Sequence, residues 1–390
     1  MNITVLHNFY QLPGGEDQVF KGEVDLLRSF GHVVSPFVLS NDQLAQLNRI
    51  RQASSPIWNE DAYSKVRQHL RETNAEIVHV HNTFPLASPS VYYAARAEGV
   101  PVVQTLHNFR LLCPAANFFR DGHTCESCLH SITPWPAVVH ACYRDSRMAS
   151  AVAAGVITAH RALGTWNTKI DRFIALTEFA RQKFISGGLP AEKISVKPNF
   201  MHPDPGPGAG DGGFALYVGR LSPEKGIETL IDAWSLHGSG IPLKIVGDGP
   251  LRDLVTAAAE RNKSIELLGW CEKEVVLSLM RSAAVLILPS LCYEGFPMTV
   301  VEAFAVGLPV IASRIGSLAS LIEHGRTGFL FEPGNSEELS AQAASVLNSV
   351  SLRQSLGSAA RKQFLTDYTQ KANYSILMEI YSSACRIKAQ

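Results

Sequence analysis

Glu294 and Glu302 bracket the stretch Glu294-Gly-Phe-Pro-Met-Thr-Val-Val-Glu302, which follows the apolar run Ala283–Pro289 and leads into Ala303-Phe-Ala-Val-Gly-Leu-Pro-Val310. The run reads as a buried strand, and the second half of the motif as a helix start. In open α/β sheets the ligand crevice lies at the carboxyl ends of the strands, and a helix N-terminus there offers free N–H groups to an anion. A phosphate held by backbone from Phe296 through Pro297 and Met298 to Thr299 leaves the two acids to grip hydroxyls on either side. The plain alternative is a loop acid and a solvated helix glutamate. Arg220 and Lys225, with four residues between them and Gly219 and Gly226 at their flanks, suit the same chemistry. A planar guanidinium and a mobile ammonium together neutralise a diphosphate.

A second set of polar residues is His7-Asn8, His81-Asn82 and His107-Asn108. Each pair ends a predicted strand: Ile3–Leu6, Ile77–Val80 and Val102–Leu106. Parallel strands deliver such residues to one edge, where short polar side chains suit sugar hydroxyls or a leaving phosphate. Gly14 and Gly15 lie between the first strand and a helix expected from Gln18 to Phe30, at a turn where backbone can approach a ligand. The dinucleotide spacing G-x-G-x-x-G is absent.

The elements needed to position these residues alternate strand and helix twice over, the pattern of two wound parallel sheets. The first half adds strands at Val33–Leu39 and Arg172–Leu176. The second has them at Phe214–Val218, Leu243–Val246, Ile265–Trp270, Pro309–Ala312 and Gly328–Phe331, with helices from Ser336 to Tyr368. Between the halves lies a run of proline, glycine and aspartate that reads as a flexible linker. The expected division is 1–203, a linker at 204–213, 214–368, and a C-terminal helix in 369–390. Two wound domains joined in this way are expected to face each other across a cleft.

Lysine plus arginine equals aspartate plus glutamate at 35 each, so no basic field points to nucleic acid. Met1 to Asn8 reads directly as a strand, so no leader is expected and the cytoplasm is the default compartment. Cys113, Cys125, Cys128 and Cys142 fall within thirty residues, the inner two spaced C-x2-C, as in structural zinc sites. Inert thiols and an iron–sulfur cluster are the alternatives, and His123, His130 or His140 could replace one ligand. Basic residues from Arg144 to Arg172 surround an alanine-rich segment, which suits either a helix on anionic lipid or the solvated face of a buried helix.

Arg220-x4-Lys225-Gly226, Gly247-Asp248-Gly249, Glu294-x7-Glu302 and Gly14-Gly15 together resemble the retaining nucleotide-sugar glycosyltransferases of family 4. The resemblance implies the GT-B fold, α/β with two Rossmann-like domains and a C-terminal helix crossing back to the first. It implies a nucleoside-diphosphate sugar as donor and a glycan or polyprenyl-linked acceptor, with peripheral contact at the inner membrane face. By the same resemblance Arg220 and Lys225 hold the diphosphate, Glu302 the ribose, Glu294 the transferred sugar, and Gly295 to Thr299 the phosphate cradle. The base falls near Gly247–Gly249 and Trp270-Cys271, His107 faces the donor sugar, and Gly14-Gly15 closes over phosphate. No metal is needed for catalysis, because an Asp-x-Asp motif is missing and cationic side chains take its place. Some family members share the Leu-Leu-Cys-Pro insert, 113–142, which is expected to fix the acceptor loop. A nucleotide-sugar epimerase of the same fold and a non-catalytic binding module are the alternative functions.

Overall fold

The central apolar runs of the first half become strands buried on both faces, as parallel sheets between helices require. Neither Ile77–Val80 nor Val102–Leu106 has an exposed position. In the computed structural model, which describes residues 1–11, 14–237 and 240–388, the chain divides into two units. The first comprises Met1–Phe118, Cys125–Asn199 and the segment from Gln370, and the second Phe119–Thr124 and Phe200–Thr369.

The strands are β1 (Asn2–Phe9), β2 (Val33–Ser40), β3 (Ile77–Val80), β4 (Val102–Leu106), the hairpin β5 (Phe119–Arg120) and β6 (His123–Thr124), β7 (Arg172–Ala175) and β8 (Ile194–Val196). The first unit's sheet is parallel, in the order β2-β1-β3-β4-β7-β8. The chain leaves β1 to one side and returns on the other, so the switch point lies between β1 and β3. Strand β8 was not foreseen, because three edge residues, Ile194 buried and the other two half-buried, carry little apolar signal.

The helix Gln370–Lys388 packs on this first unit through named side chains. Tyr374 stacks on Phe30 with centroids 3.8 Å apart, Tyr381 Oη lies 2.8 Å from His79 Nδ1, and Arg172 donates to Ser383 Oγ at 2.6 Å. Beneath it the buried ammonium of Lys197 donates to Glu23 at 2.9 Å and to Asn373 at 3.0 Å.

The second sheet runs β11-β10-β9-β12-β13-β14, all parallel, built from β9 (Ala215–Val218), β10 (Leu243–Val246), β11 (Ile265–Gly269), β12 (Val285–Leu288), β13 (Val310–Ser313) and β14 (Gly328–Phe331). Its switch point is between β9 and β12. Trp234, Tyr217, Leu230, Ile245 and Phe331 fill the core.

The run 204–213, expected as a flexible linker, is grouped with the second unit and bonded to it. The N–H groups of Gly208, Gly210 and Gly212 donate to the carbonyls of Val306, Arg281 and Ser282, and Asp204 pairs with Arg361 at 2.6 Å. A side chain at Gly208 would stand 2.3 Å from the Arg281 carbonyl oxygen, so the glycine serves close packing rather than freedom. The unit boundary falls at 199/200.

Candidate functional site

At the second switch point the loop after β9 carries Lys225 and the loop after β12 carries Glu294. The backbone stitches the two loops together. Leu291 N–H donates to Glu224 O at 2.9 Å, and Gly226, at φ 70°, packs so closely that a Cβ would lie 1.9 Å from Pro289 O. Lys225 Nζ consequently reaches Glu294 Oε1 at 2.5 Å, and Ser290 Oγ donates to the same oxygen at 2.7 Å. Burial opposes both charges, yet each partner outweighs it, so Lys225 is held above and Glu294 below its ordinary pKa. The hydrogen bonds of Glu294 among the described residues are both on Oε1, and Oε2 makes none.

The helix Met298–Val306 begins directly after this loop, with no side-chain cap. Pro297 has no N–H and so drops out of the expected backbone cradle. Phe296, Met298 and Thr299 have no acceptor for theirs among the described residues. Gly295 is held by Ser317 Oγ at 3.0 Å. Glu302, one turn into the helix, is half-buried; burial raises its pKa against the pull of Lys273. Arg220 is exposed and makes no ion pair among the described residues. Gly219 and Gly247 meet backbone to backbone: a Cβ at Gly247, φ 144°, would lie 1.9 Å from Gly219 O, and one at Gly249 would lie 2.4 Å from Leu221 O. These glycines serve loop packing first. Trp270, 73% exposed just past β11, presents an open ring face, and Cys271 beside it is half-buried.

At the first switch point the structure brings the three predicted histidines together. His81 Nδ1 lies 2.9 Å from His107 Nε2, with the rings stacked at 5.0 Å, and His7 stands edge-on to His81 at 6.3 Å. Burial pushes His81 down to about 4, against the pull of Glu23, and burial with the neighbouring histidines holds His107 well below the usual range. Near neutral pH the His81–His107 pair is uncharged, one ring nitrogen donating to the other. His7 is pinned by Asp17 at 2.6 Å.

Asn108 donates to the Glu16 carboxylate at 3.2 Å and accepts from Arg110 N–H at 3.0 Å. Asn8 and Asn82 are spent on loops: Asn8 Oδ1 accepts from Leu86 and Ala87, and Asn82 accepts from Phe84. Gly14 and Gly15 differ from Gly219, Gly226, Gly247 and Gly249, since a Cβ at either would meet nothing within 4 Å.

Sequence reading missed Glu16, Glu23, Lys197 and Ser290. Glu23 carried a signal, as a carboxylate within the apolar stripe Val19, Phe20, Val24 and Leu27 of the helix Gly15–Ser29. Glu16 lies at that helix start beside Tyr10, and burial, then the charge of Asp17, raises it to about 8.

The four cysteines of the insert form no disulfide; Cys113 and Cys128 are buried, Cys125 and Cys142 half-buried. The basic face expected along Arg144 to Arg172 is largely internal. Arg161 donates to the carbonyls of Ser131 and Leu111, Lys169 lies over the Tyr93 ring at 5.0 Å, and Arg172 binds Ser383, which leaves Arg144 and Arg147 exposed. No helix among the described residues is long and apolar enough to cross a membrane.

Comparison with known proteins covers both units. Residues 27–199 match the family model "Glycosyl transferase 4-like domain", and residues 205–363 match "Glycosyl transferases group 1". A glycosyltransferase of Methanocaldococcus jannaschii is 37% identical over 38% of this chain and 42% of its own length. The glycogen synthase of Mycobacterium tuberculosis is 31% identical over 45% and 44%. The chain thus spans less than half the length of these relatives. The alpha-D-kanosaminyltransferase of Streptomyces kanamyceticus is 26% identical over 81% of this chain and 79% of its own. Among solved structures, Anabaena HepE in complex with UDP and glucose superposes with a TM-score of 0.69 at 21% identity, covering 98% of this chain and all of that one. Sucrose-phosphate synthase of Thermosynechococcus elongatus gives 0.72 at 16% identity, covering 99% of each.

Proposed function

Because this chain belongs to the GT-B glycosyltransferases, with the two Rossmann-like units of that fold, we propose that it transfers a sugar, with retention, from a nucleoside-diphosphate sugar to a glycan or lipid-linked acceptor. The observation that carries this reading is the Lys225–Glu294 pair at the switch point of the second sheet, beside the uncapped start of the helix Met298–Val306. Transfer leaves a diphosphate, so negative charge grows on the departing oxygens. Lys225, the exposed Arg220 and the free N–H groups of Met298 and Thr299 are fixed positive ends for that charge, and they cost no reorganisation during the reaction.

Glu294 is a poor nucleophile here, since Lys225 and Ser290 both hold Oε1 and stabilise its ionised form. Its free Oε2 suits a sugar hydroxyl and the positive charge that develops on the ring. With Glu294 held by Lys225 and Ser290, departure and entry on one sugar face is the retaining route this site suits, the leaving diphosphate taking the acceptor proton. Glu302 is assigned to the ribose hydroxyls, Trp270 and Cys271 with Gly247 and Gly249 to the base, and Gly14-Gly15 to the phosphate.

The uncharged His81–His107 edge of the first unit is assigned to sugar hydroxyls, His107 to those of the donor sugar. Uridine is the first base to test, since HepE was solved with UDP. Seven cysteines without a disulfide suit a reducing cytoplasm. The exposed Trp135, Ile132 and Met148, near Arg144 and Arg147, support peripheral contact with an anionic membrane face, where a lipid-linked acceptor is met.

The test is release of nucleoside diphosphate from a panel of nucleotide sugars with glycan and polyprenyl-phosphate acceptors. Lys225→Ala and Glu294→Ala are each expected to cut turnover on the order of 100- to 1,000-fold, as loss of one fixed transition-state contact does, with circular dichroism unchanged. Full turnover in both variants would remove their assigned roles. An epimerised nucleotide sugar formed without acceptor would make the chain an isomerase.

A further inference from the structure

On the reading of His107 as a contact of the transferred sugar, we infer that Glu23 is its positioning residue: through His81, Glu23 fixes His107 in the tautomer whose Nδ1 is bare. The group received there must then bring its own hydrogen.

The placing of the protons follows from the hydrogen bonds taken in turn. The Glu23 and Lys197 side chains are each 1% exposed, and Lys197 Nζ donates to Glu23 Oε2 at 2.9 Å and to Asn373 Oδ1 at 3.0 Å. A buried ammonium needs a charged partner, so the carboxylate is ionised and can only accept. Burial opposes that charge, but Lys197 and then the two histidines outweigh it and hold Glu23 well below its ordinary pKa. The other oxygen, Oε1, meets two imidazoles, His79 Nδ1 at 2.6 Å and His81 Nε2 at 3.2 Å. Both of those nitrogens therefore carry hydrogen.

Which ring nitrogen of a histidine is protonated is set by the bond the other makes. With its proton on Nε2, neutral His81 has a bare Nδ1. That atom lies 2.9 Å from His107 Nε2, which closes the contact only as an N–H donor. Neutral His107 is left with its lone pair on Nδ1, which makes no hydrogen bond among the described residues. Its ring lines a cavity together with Asn82, Thr83, Asn108 and Arg110. The base of the relay is closed by the helix Gln370–Lys388, through Asn373 on Lys197 and Tyr381 Oη at 2.8 Å from His79 Nδ1. His79 ends its own branch, its Nε2 accepting from Thr105 Oγ1 at 2.7 Å.

A bare Nδ1 accepts a hydroxyl hydrogen, which leaves that hydroxyl oxygen richer in electrons and suits the positive charge developing on the sugar ring. An N–H in the same place would draw electrons the other way. An ether or carbonyl oxygen would face the nitrogen lone pair against lone pair.

Glu23→Gln keeps the shape and reverses the relay. Lys197 holds the amide oxygen on its own side, which turns the NH2 towards His79 and His81. His81 must then accept at Nε2 and donate from Nδ1, and His107 takes its proton on Nδ1. Long-range proton–nitrogen correlation spectra of the full-length chain with isotope-labelled histidine tell protonated from bare ring nitrogens, and His107→Gln identifies the resonances. The wild type is expected to show His107 protonated at Nε2 and bare at Nδ1, and Glu23→Gln the reverse. In diphosphate release from the nucleotide-sugar panel the variant is expected to lose on the order of 10-fold in kcat at unchanged KM, because the sugar hydroxyl still bonds the reversed ring but accepts instead of donating. A buried ion pair that served packing alone would move neither the tautomer nor this split.

Wild-type His107 protonated on Nδ1, an unchanged tautomer in the folded variant, or a reversed ring with undiminished kcat would each overturn the inference. If Glu23→Gln does not fold, the wild-type spectrum still decides. The spectra need no turnover, so a chain with the stated tautomers that releases no diphosphate would strike the transferase reading alone.

Discussion

Lys225 and Glu294 keep one another ionised in a half-buried place, while His81 and His107 stay neutral because burial outweighs their acidic neighbours. Charge on the leaving side and neutrality on the hydroxyl side are the division that glycosyl transfer needs. Glu16 supplies a measurable consequence. Its pKa is raised to about 8, burial first and Asp17 second, from an unfolded value near 4.5. Between those values the native state holds a proton that the unfolded chain has lost, so stability from this group is full below about pH 4.5 and declines as pH rises towards 8. Glu16→Gln keeps the neutral form throughout. Denaturation at pH 5 and pH 8 should therefore show the variant gaining on the wild type at about 1 kcal/mol per pH unit. A difference independent of pH would mean that Glu16 is ionised in the fold.

Among the elements, the two stitched loops after β9 and β12 decide whether Lys225 meets Glu294 at all. Gly226 is the hinge pin, at φ 70° with its missing Cβ replaced by the Pro289 carbonyl. Gly226→Ala combines a disfavoured backbone with a clash against rigid main chain. It is expected to cost about 2–4 kcal/mol of stability and to lose turnover even where the protein still folds, measured by urea denaturation and diphosphate release. Wild-type stability with wild-type turnover would show that the loops adapt. The C-terminal helix illustrates a different dependence, since its polar contacts with Lys197, His79 and Arg172 join residues 176 to 302 positions apart in sequence. No local pattern announces such pairs.

For the whole molecule, the two sheets share one plan and differ in the chemistry at their switch points: a charged, uncapped helix start in the second, a buried histidine edge in the first. If the donor binds as proposed, UDP should slow amide hydrogen exchange at Gly219–Ile227 and Leu291–Phe304 and leave the strand ends of β3 and β4 little changed. Equal protection at the histidine edge alone would move the donor site to the first unit. The sequence by itself determined the two wound sheets, since apolar runs of strand length between helical periods admit few other packings. It also marked Arg220, Lys225, Glu294 and the three histidines, because residues at strand ends must share an edge whatever the details. Only the tertiary structure decided that 204–213 is bonded to the second unit, that Asn8 and Asn82 are consumed by loops, and that Glu16, Glu23 and Lys197 stand at or beneath the first site. Those outcomes depend on which distant carbonyl or carboxylate a group meets, and such long-range pairing leaves no period in the chain.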